Sequence, residues 1–130
     1  MRLLIVRHAE AGPGSPDELR RLTTLGKEQA RGLGRHLRDS GLEPDTVVCS
    51  PLLRAVETAR ELGLAEPVVD ERLAPGAGPD DVRAAAEGRG DIVLLIGHQP
   101  DCSDVAAALT GGPRPPFPPC GHVLIELSQA

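Results

Sequence analysis

Short apolar runs alternate along this chain with segments whose apolar residues recur every three or four positions, and this alternation limits the fold more than any other sequence feature. A run of four to six apolar residues has the length of a buried strand, whereas the three-to-four spacing is typical of an amphipathic helix. Alternating strands and helices favour a mostly parallel sheet covered by helices on both faces. We therefore predict a three-layer α/β sandwich. The predicted strands are 3–6, 45–49, 67–69, 91–96 and 122–127.

The segments between these strands carry helix-start signals. Thr23 or Thr24 is expected to cap a helix that extends to about residue 39. Ser50 is expected to cap a second helix, with Pro51 in its first turn. Two further helices are predicted at 80–87 and 101–109.

The length and composition of the chain fit one domain, residues 1–130. Its 130 residues are the usual size of a single domain, and the 40% of apolar residues are enough for a core. Phe117 is the single aromatic residue among Phe, Trp and Tyr, so the core is aliphatic. Phe117 lies in a Pro-rich segment, 113–119, that is predicted to cross the surface in an extended form.

Charge, hydropathy and cysteine content exclude several classes of partner. The net charge of −5 argues against a nucleic-acid surface, which needs a basic patch. No apolar stretch approaches the length of a membrane span, and the apolar start is too short for a signal peptide. Cys49, Cys102 and Cys120 form no C-x-x-C pair, and an odd, sparse count suits reduced thiols. We therefore expect a cytoplasmic protein with no nucleic-acid or membrane partner.

Imidazole and guanidinium groups follow the predicted strands at the points where these end. Arg7 and His8 follow the first strand, Arg54 lies one turn beyond the second, and His98 follows the fourth. Ligands of open parallel sheets bind at the carboxyl ends of the strands, so these four side chains are expected to converge there. Four potentially cationic groups suit a tetrahedral anion, and guanidiniums bind phosphate in a bidentate manner. The sequence thus predicts a phosphate site. The remaining histidines, His36 and His122, are interpreted as surface groups.

Two other chemistries use some of the same residues. Cys49 and Arg54 resemble the phosphate loop of cysteine phosphatases, but four residues separate them where that loop needs five. Cys49 is therefore interpreted as a small buried hydrophobe. A zinc site made of His8, His98 and Cys102 is the second alternative, and no spacing matches a structural zinc motif. We expect no metal and no cofactor.

Three segments, VRHAEA, SPLLRAVETA and IGHQP, resemble the signature segments of the histidine phosphatase superfamily, each after a predicted strand and in the family's order. The stretch RRLTTLGKEQARGLGRHL is similar to the family's first helix. The short chain, with no large helical insertion between the third and fourth strands, is most similar to the SixA-type phosphohistidine phosphatases. The resemblance implies a minimal phosphoglycerate mutase-like fold and a phosphatase activity.

The resemblance also implies roles for the four strand-end residues. His8 would be the nucleophile that attacks phosphorus and carries the phosphoryl group until water removes it. Arg7, Arg54 and His98 would bind the phosphoryl oxygens and neutralise their charge. The two guanidiniums also disfavour the imidazolium form and so help to keep His8 unprotonated.

The chain departs from the family pattern at the general acid. Pro75 falls where many relatives place a glutamate. Glu71, Asp80 and Asp81 lie nearby and are interpreted as ordinary surface carboxylates, so no acid is assigned. An alkoxide leaving group needs a proton, whereas phosphohistidine has a better leaving group. The departure therefore favours a phosphohistidine protein as the substrate.

Two further functions remain open from the sequence. A general small-molecule phosphomonoesterase or mutase-like enzyme of the same superfamily would act on a small phosphorylated metabolite and would need one of the nearby carboxylates. A non-catalytic phosphate-binding module would keep the anion site but form no phosphohistidine of its own.

Overall fold

The computed structural model describes residues 1–127 and contains a five-stranded sheet in the order β3-β2-β4-β1-β5. The first four strands are parallel, and β5 runs antiparallel to β1 at one edge. Four α-helices connect the strands, which confirms the predicted α/β architecture. The strands are β1 (Arg2–Arg7), β2 (Thr46–Cys49), β3 (Pro67–Val69), β4 (Ile92–Gly97) and β5 (His122–Glu126). The helices are α1 (Thr24–Asp39), α2 (Leu53–Glu61), α3 (Pro79–Ala86) and α4 (Asp101–Thr110).

Two apolar clusters lie on opposite faces of the sheet, as a three-layer sandwich requires. On one face, residues of α1 and α2 such as Leu37 and Ala59 pack against Leu4 and Leu94. On the other face, α3 and α4 pack against the alternate residues of the same strands. Central strands that are apolar on both sides fit only between two helical layers, so the continuous apolar runs of β1 and β4 determine this arrangement.

Local signals explain where the first helix begins and where the last helix ends. Thr23 caps α1, since its hydroxyl oxygen accepts the Gly26 N–H at 2.9 Å. Gly111, at φ 72°, ends α4 in the left-handed conformation that glycine adopts without steric cost.

The second helix begins later than the sequence indicated, and the prediction that Ser50 caps it is wrong. α2 begins at Leu53, and its N-cap is Leu52, which makes no side-chain cap hydrogen bond. The Ser50 hydroxyl instead accepts the Leu52 N–H at 3.2 Å within the turn between strand and helix.

The Pro-rich segment is not a simple surface crossing. Phe117 is only 3% exposed and belongs to the apolar cluster beneath α3 and α4. A benzyl side chain gains about 2 kcal/mol or more from burial, which outweighs the preference of the surrounding prolines for solvent-exposed, extended chain. The segment is therefore anchored to the core at its centre.

The close approach of α1 to the end of α2 requires glycine at one position and tolerates alanine at another. A Cβ at Gly34 would overlap the Leu62 carbonyl oxygen, whereas a Cβ at Gly32 would meet only the Arg35 guanidinium, at 3.8 Å. We expect Gly34→Ala to lower the free energy of unfolding by about 1–3 kcal/mol. Gly32→Ala, the matched control in the same helix, should raise it by up to about 1 kcal/mol. Urea denaturation measures both, and equal stability of the two variants would contradict the packing described.

Candidate active site

The register of the three central strands brings the predicted site residues to one edge of the sheet. Arg7 lies opposite Gly97 across the β1–β4 ladder, and the His8 N–H continues the ladder by donating to the Gly97 carbonyl at 3.1 Å. On the other side of β4, the Ser50 N–H donates to the Ile96 carbonyl at 3.1 Å. The chain therefore leaves β1, β2 and β4 at the same level, and residues far apart in sequence become neighbours.

Two histidine rings face each other at this edge. The ring centroids of His8 and His98 are 5.2 Å apart, with an angle of 57° between the ring planes. His98 is only 4% exposed, while His8 is half-buried. Burial is the main reason why the pKa of each histidine falls from 6.5 to about 4, and the Arg54 and Arg7 guanidiniums lower both pKa values further. Both rings are therefore neutral at physiological pH.

A main-chain contact fixes the orientation of His8. Its Nδ1 lies 2.7 Å from the carbonyl oxygen of Ala9. A carbonyl oxygen only accepts, so Nδ1 carries the ring proton and Nε2 keeps an unshared electron pair. The neutral ring thus has the tautomer that a nucleophile needs.

Each of the two arginines of the site donates a hydrogen bond to a main-chain carbonyl oxygen. Arg54 is 6% exposed, and its Nη1 donates to the Asp17 carbonyl at 3.0 Å while its Nη2 pairs with the Asp17 carboxylate at 3.2 Å. The Arg7 Nη1 donates to the Phe117 carbonyl at 3.0 Å. The Pro-rich segment predicted to lie on the surface therefore positions one of the site's cations.

Three buried nitrogen atoms of the site have no hydrogen-bond partner within residues 1–127: the Nε atoms of Arg7 and Arg54 and the Nδ1 of His98. Buried polar atoms without partners are rare in folded proteins, because each loses the hydrogen bonds that water provided. Their concentration on three of the four predicted site residues indicates a place where an anionic acceptor is favoured. Helices α2 and α4 begin beside it and add the positive ends of their dipoles.

The structure adds two residues that sequence reasoning missed, Asp17 and Arg20. The Asp17 carboxylate bridges Arg54 and Arg20, at 3.2 Å from each, and the Arg20 charge contributes to the lowered pKa of His8. Both residues lie between β1 and α1, in a stretch with no strand or helix signal of its own. Their separation of three residues is the only sequence sign that they act together.

The carboxylates considered as general acids are exposed side chains. Glu71, Asp80 and Asp81 all lie at the surface, and the Asp81 carboxylate accepts a hydrogen bond from the Gly78 N–H at the start of α3. The charge of a further carboxylate, Asp17, acts on His98, but its hydrogen bond with Arg20 lowers the pKa of the Asp17 carboxyl group, with Arg54 adding to the effect. Asp17 is therefore ionised at neutral pH and poorly suited to donate a proton.

The cysteine and zinc alternatives receive no support from the geometry. Cys49 lies in the core between the sheet and the α1–α2 layer, and burial raises the pKa of its thiol to about 11. The Cys102 thiol donates to the Val6 carbonyl at 3.7 Å, and burial raises its pKa to about 12. Across residues 1–127, no three His, Cys, Asp or Glu side chains come together in a metal-ligating group.

In the same part of the chain, no helix combines the length and the apolar character needed to cross a membrane.

Comparisons with known proteins identify the family of this chain. Residues 3–75 match the family model described as histidine phosphatase superfamily, branch 1. The phosphohistidine phosphatase SixA of Escherichia coli is 32% identical over 127 residues, which cover 90% of this chain and 79% of that protein. The solved structure of the protein histidine phosphatase SixA complexed with tungstate has a TM-score of 0.88 and 28% identity, and the match covers 98% of this chain and 88% of that one.

Another relative carries a different activity in its name. The mitochondrial serine/threonine-protein phosphatase Pgam5 of Drosophila willistoni is 30% identical over 128 residues, which cover 98% of this chain but only 34% of that protein.

The family-model match and the similarity to the SixA phosphatases show that the chain is a phosphatase of the histidine-nucleophile class. The chain belongs to the histidine phosphatase superfamily, within which it is similar to the SixA phosphatases. The predicted fold and enzyme class are thereby confirmed.

The buried, neutral histidines predict a specific dependence of stability on pH. Their pKa of about 4 in the folded protein lies below the 6.5 of the unfolded chain, so the unfolded state binds more protons between these values. The free energy of unfolding therefore has its full value above pH 6.5 and decreases as the pH falls towards 4. At pH 5 each histidine should lower the free energy of unfolding by up to about 2 kcal/mol from its value above pH 6.5. Urea denaturation at pH 7 and pH 5 in phosphate-free buffer measures the loss.

His8→Asn is the informative variant for this dependence. Removing one of the two imidazoles should remove its share of the loss between pH 7 and pH 5. If the wild-type protein and His8→Asn lose the same stability, the burial described for His8 is wrong.

Proposed function

We propose that this protein is a phosphohistidine phosphatase that removes the phosphoryl group from a phosphohistidine-bearing protein through a covalent phospho-His8 intermediate. The observation that carries the proposal is the state of the His8 ring. Its Nδ1 proton is held by the Ala9 carbonyl, its pKa is lowered to about 4, and its Nε2 is free to attack. A nitrogen that stays unprotonated and oriented at neutral pH meets the first requirement for nucleophilic catalysis.

In the first step, the His8 Nε2 electron pair forms a bond to phosphorus as the bond from phosphorus to the substrate's imidazole nitrogen breaks. The leaving nitrogen keeps the electron pair and takes up a proton from water, and the second step returns a proton to water. In the second step, water attacks phospho-His8, loses a proton and releases inorganic phosphate, and the electron pair returns to Nε2. Arg7, Arg54 and His98 bind the phosphoryl oxygens in both steps and offset the charge that develops on them.

The chemistry of the two partners explains why no carboxylic acid is needed. The phosphoryl group moves from one imidazole nitrogen to another, so the bond that breaks and the bond that forms are of the same type. An alkyl phosphate would expel an alkoxide instead, which needs a proton from a positioned acid worth about a hundredfold or more in rate. The exposed positions of Glu71, Asp80 and Asp81 and the ionised state of Asp17 favour the first substrate.

The surroundings of the site support a substrate that is itself part of a protein. The connection from β3 to β4 contains only one short turn of helix, Glu71–Leu73, and the eight-residue α3. On the other side, residues 13–19 are exposed, and Leu19 is 59% exposed. We therefore expect a ring presented on a protein surface to approach His8 between these two segments. The names of the SixA relatives point to the same substrate class.

The covalent step is tested by trapping. Brief incubation of the protein with a phosphohistidine protein carrying labelled phosphate should leave label on His8 that is lost in acid and kept in base. His8→Ala should lose the label and at least about a thousandfold of the turnover. His36→Ala, which removes an exposed histidine on α1, is the matched control and should keep both. Label that survives acid, or His8→Ala turnover near that of the wild type, would contradict the nucleophile. Phosphate binding without label would leave only a non-catalytic module.

Substrate preference is tested by comparing kcat/KM for a phosphohistidine protein with that for an alkyl phosphate. We expect phosphohistidine to be favoured by at least about a hundredfold, the value of the missing acid. Asp80→Ala and Glu71→Ala should change neither activity, because both carboxylates are exposed surface groups. Loss of alkyl phosphate turnover in Asp80→Ala would instead identify a phosphomonoesterase with Asp80 as its acid.

A further inference from the structure

Within residues 1–127, the Ser50 hydroxyl is the one hydrogen-bond partner of the His98 ring. Its Oγ lies 2.7 Å from the Nε2 of His98, and both groups are buried, with Ser50 fully inaccessible and His98 4% exposed. Because both groups are buried, neither water nor a mobile surface group competes for this hydrogen bond. The other hydrogen bonds of the two side chains therefore determine which of them donates the proton.

The other hydrogen bond of Ser50 decides which way that proton points. A serine hydroxyl has one proton and two electron pairs. The Leu52 N–H donates to Ser50 Oγ at 3.2 Å and uses one electron pair. Leu52 N–H and His98 Nε2 are the hydrogen-bond partners of this hydroxyl in the described part of the chain. If His98 Nε2 also donated, two buried groups would have no partner among residues 1–127, the Ser50 proton and the Nδ1 electron pair of His98. With the hydrogen bond reversed, only the Nδ1 proton has none, and each buried group without a partner costs about 1–3 kcal/mol.

The opposite arrangement satisfies every group around the hydroxyl. Ser50 donates its proton to the unprotonated Nε2 and accepts from Leu52. The neutral His98 ring then carries its proton on Nδ1, the buried atom that has no partner among residues 1–127. A phosphoryl oxygen would supply the acceptor. An Nδ1 electron pair at the same place would repel an anion.

We propose that Ser50 is a positioning residue that holds His98 as the Nδ1–H tautomer and so makes it a hydrogen-bond donor to the bound phosphoryl group. Ser50 acts through His98 and does not touch the substrate. The inference rests on the proposed function only in naming a phosphoryl oxygen as the acceptor.

The tautomer is measured directly on the free protein. Long-range proton–nitrogen NMR of the ¹⁵N-histidine-labelled wild type should show His98 Nδ1 protonated and Nε2 unprotonated at pH 7. His98→Asn identifies the signals. A protonated Nε2 in the wild type would overturn the inference, whatever the variants show.

The variants test whether Ser50 is the cause. Ser50→Ala should lose the fixed tautomer and bind inorganic phosphate about tenfold more weakly or worse by calorimetry. Ser50→Thr keeps the hydroxyl and should retain both properties. Thr46→Val removes a hydroxyl that donates to the Arg89 carbonyl at the far end of the same strand, so it should change neither. A folded Ser50→Ala with the wild-type tautomer and affinity would contradict the inference. If Ser50→Ala does not fold, the wild-type spectrum and the Ser50→Thr variant decide the question.

Failure of this inference is separable from failure of the proposed function. Neither the NMR spectrum nor phosphate binding requires turnover. A Ser50-dependent tautomer without His8 labelling would overturn the covalent reaction alone, whereas His8 labelling with a protonated Nε2 on His98 would overturn the role of Ser50 alone.

Discussion

The structure depends on the register of three parallel strands, which brings groups of like charge to one edge. The ladder bonds from His8 to the Gly97 carbonyl and from Ser50 to the Ile96 carbonyl align the ends of β1, β4 and β2. A shift of one residue in either pairing would exchange the side chains that pack against the two helical layers, so the packing of the core also fixes the site. The burial of apolar side chains over the whole sheet therefore holds these groups together at one edge, although their positive charges repel one another.

The local cost is electrostatic, and the protein reduces it in two ways. Burial keeps both histidines neutral, which removes two of the four potential positive charges. Asp17 offsets part of the remainder by pairing with Arg54 and Arg20. The same features suit the proposed phosphoryl transfer, in which a neutral His8 acts as the nucleophile and fixed guanidiniums stabilise developing charge without reorganising. The groups that weaken the isolated fold at low pH are those that we propose bind the anion.

Strands and helices with a repeating apolar pattern could be predicted from the sequence. The edge of the sheet at which the candidate site lies could be predicted as well. The apolar runs of β1 and β4 and the spacing in α1 are determined by burial, which sequence periodicity reports directly. The rule that parallel strands present ligand sites at their carboxyl ends predicts that Arg7, His8 and His98 lie together, and the structure brings them to one edge.

Residues whose roles depend on a partner distant in sequence could not be predicted. Ser50 has the local signature of a helix cap, but its hydroxyl bonds to His98, 48 residues away. Phe117 lies among prolines typical of exposed chain, yet its carbonyl holds Arg7 across 110 residues. Asp17 pairs with Arg54 across 37 residues, from a stretch with no periodicity. In each case a contact with a residue distant in sequence determines the role of the side chain or carbonyl group, and the local pattern carries no sign of that contact.

A crystal structure of the protein soaked with tungstate tests the central claim most directly, since tungstate has the shape and charge of the transferred group. The account predicts one tungstate ion with His8 Nε2 aimed at its metal atom and with oxygens bound by Arg7, Arg54 and His98. An ion bound elsewhere, or one that the ring of His8 cannot reach, would contradict the assignment of this sheet edge as the catalytic centre.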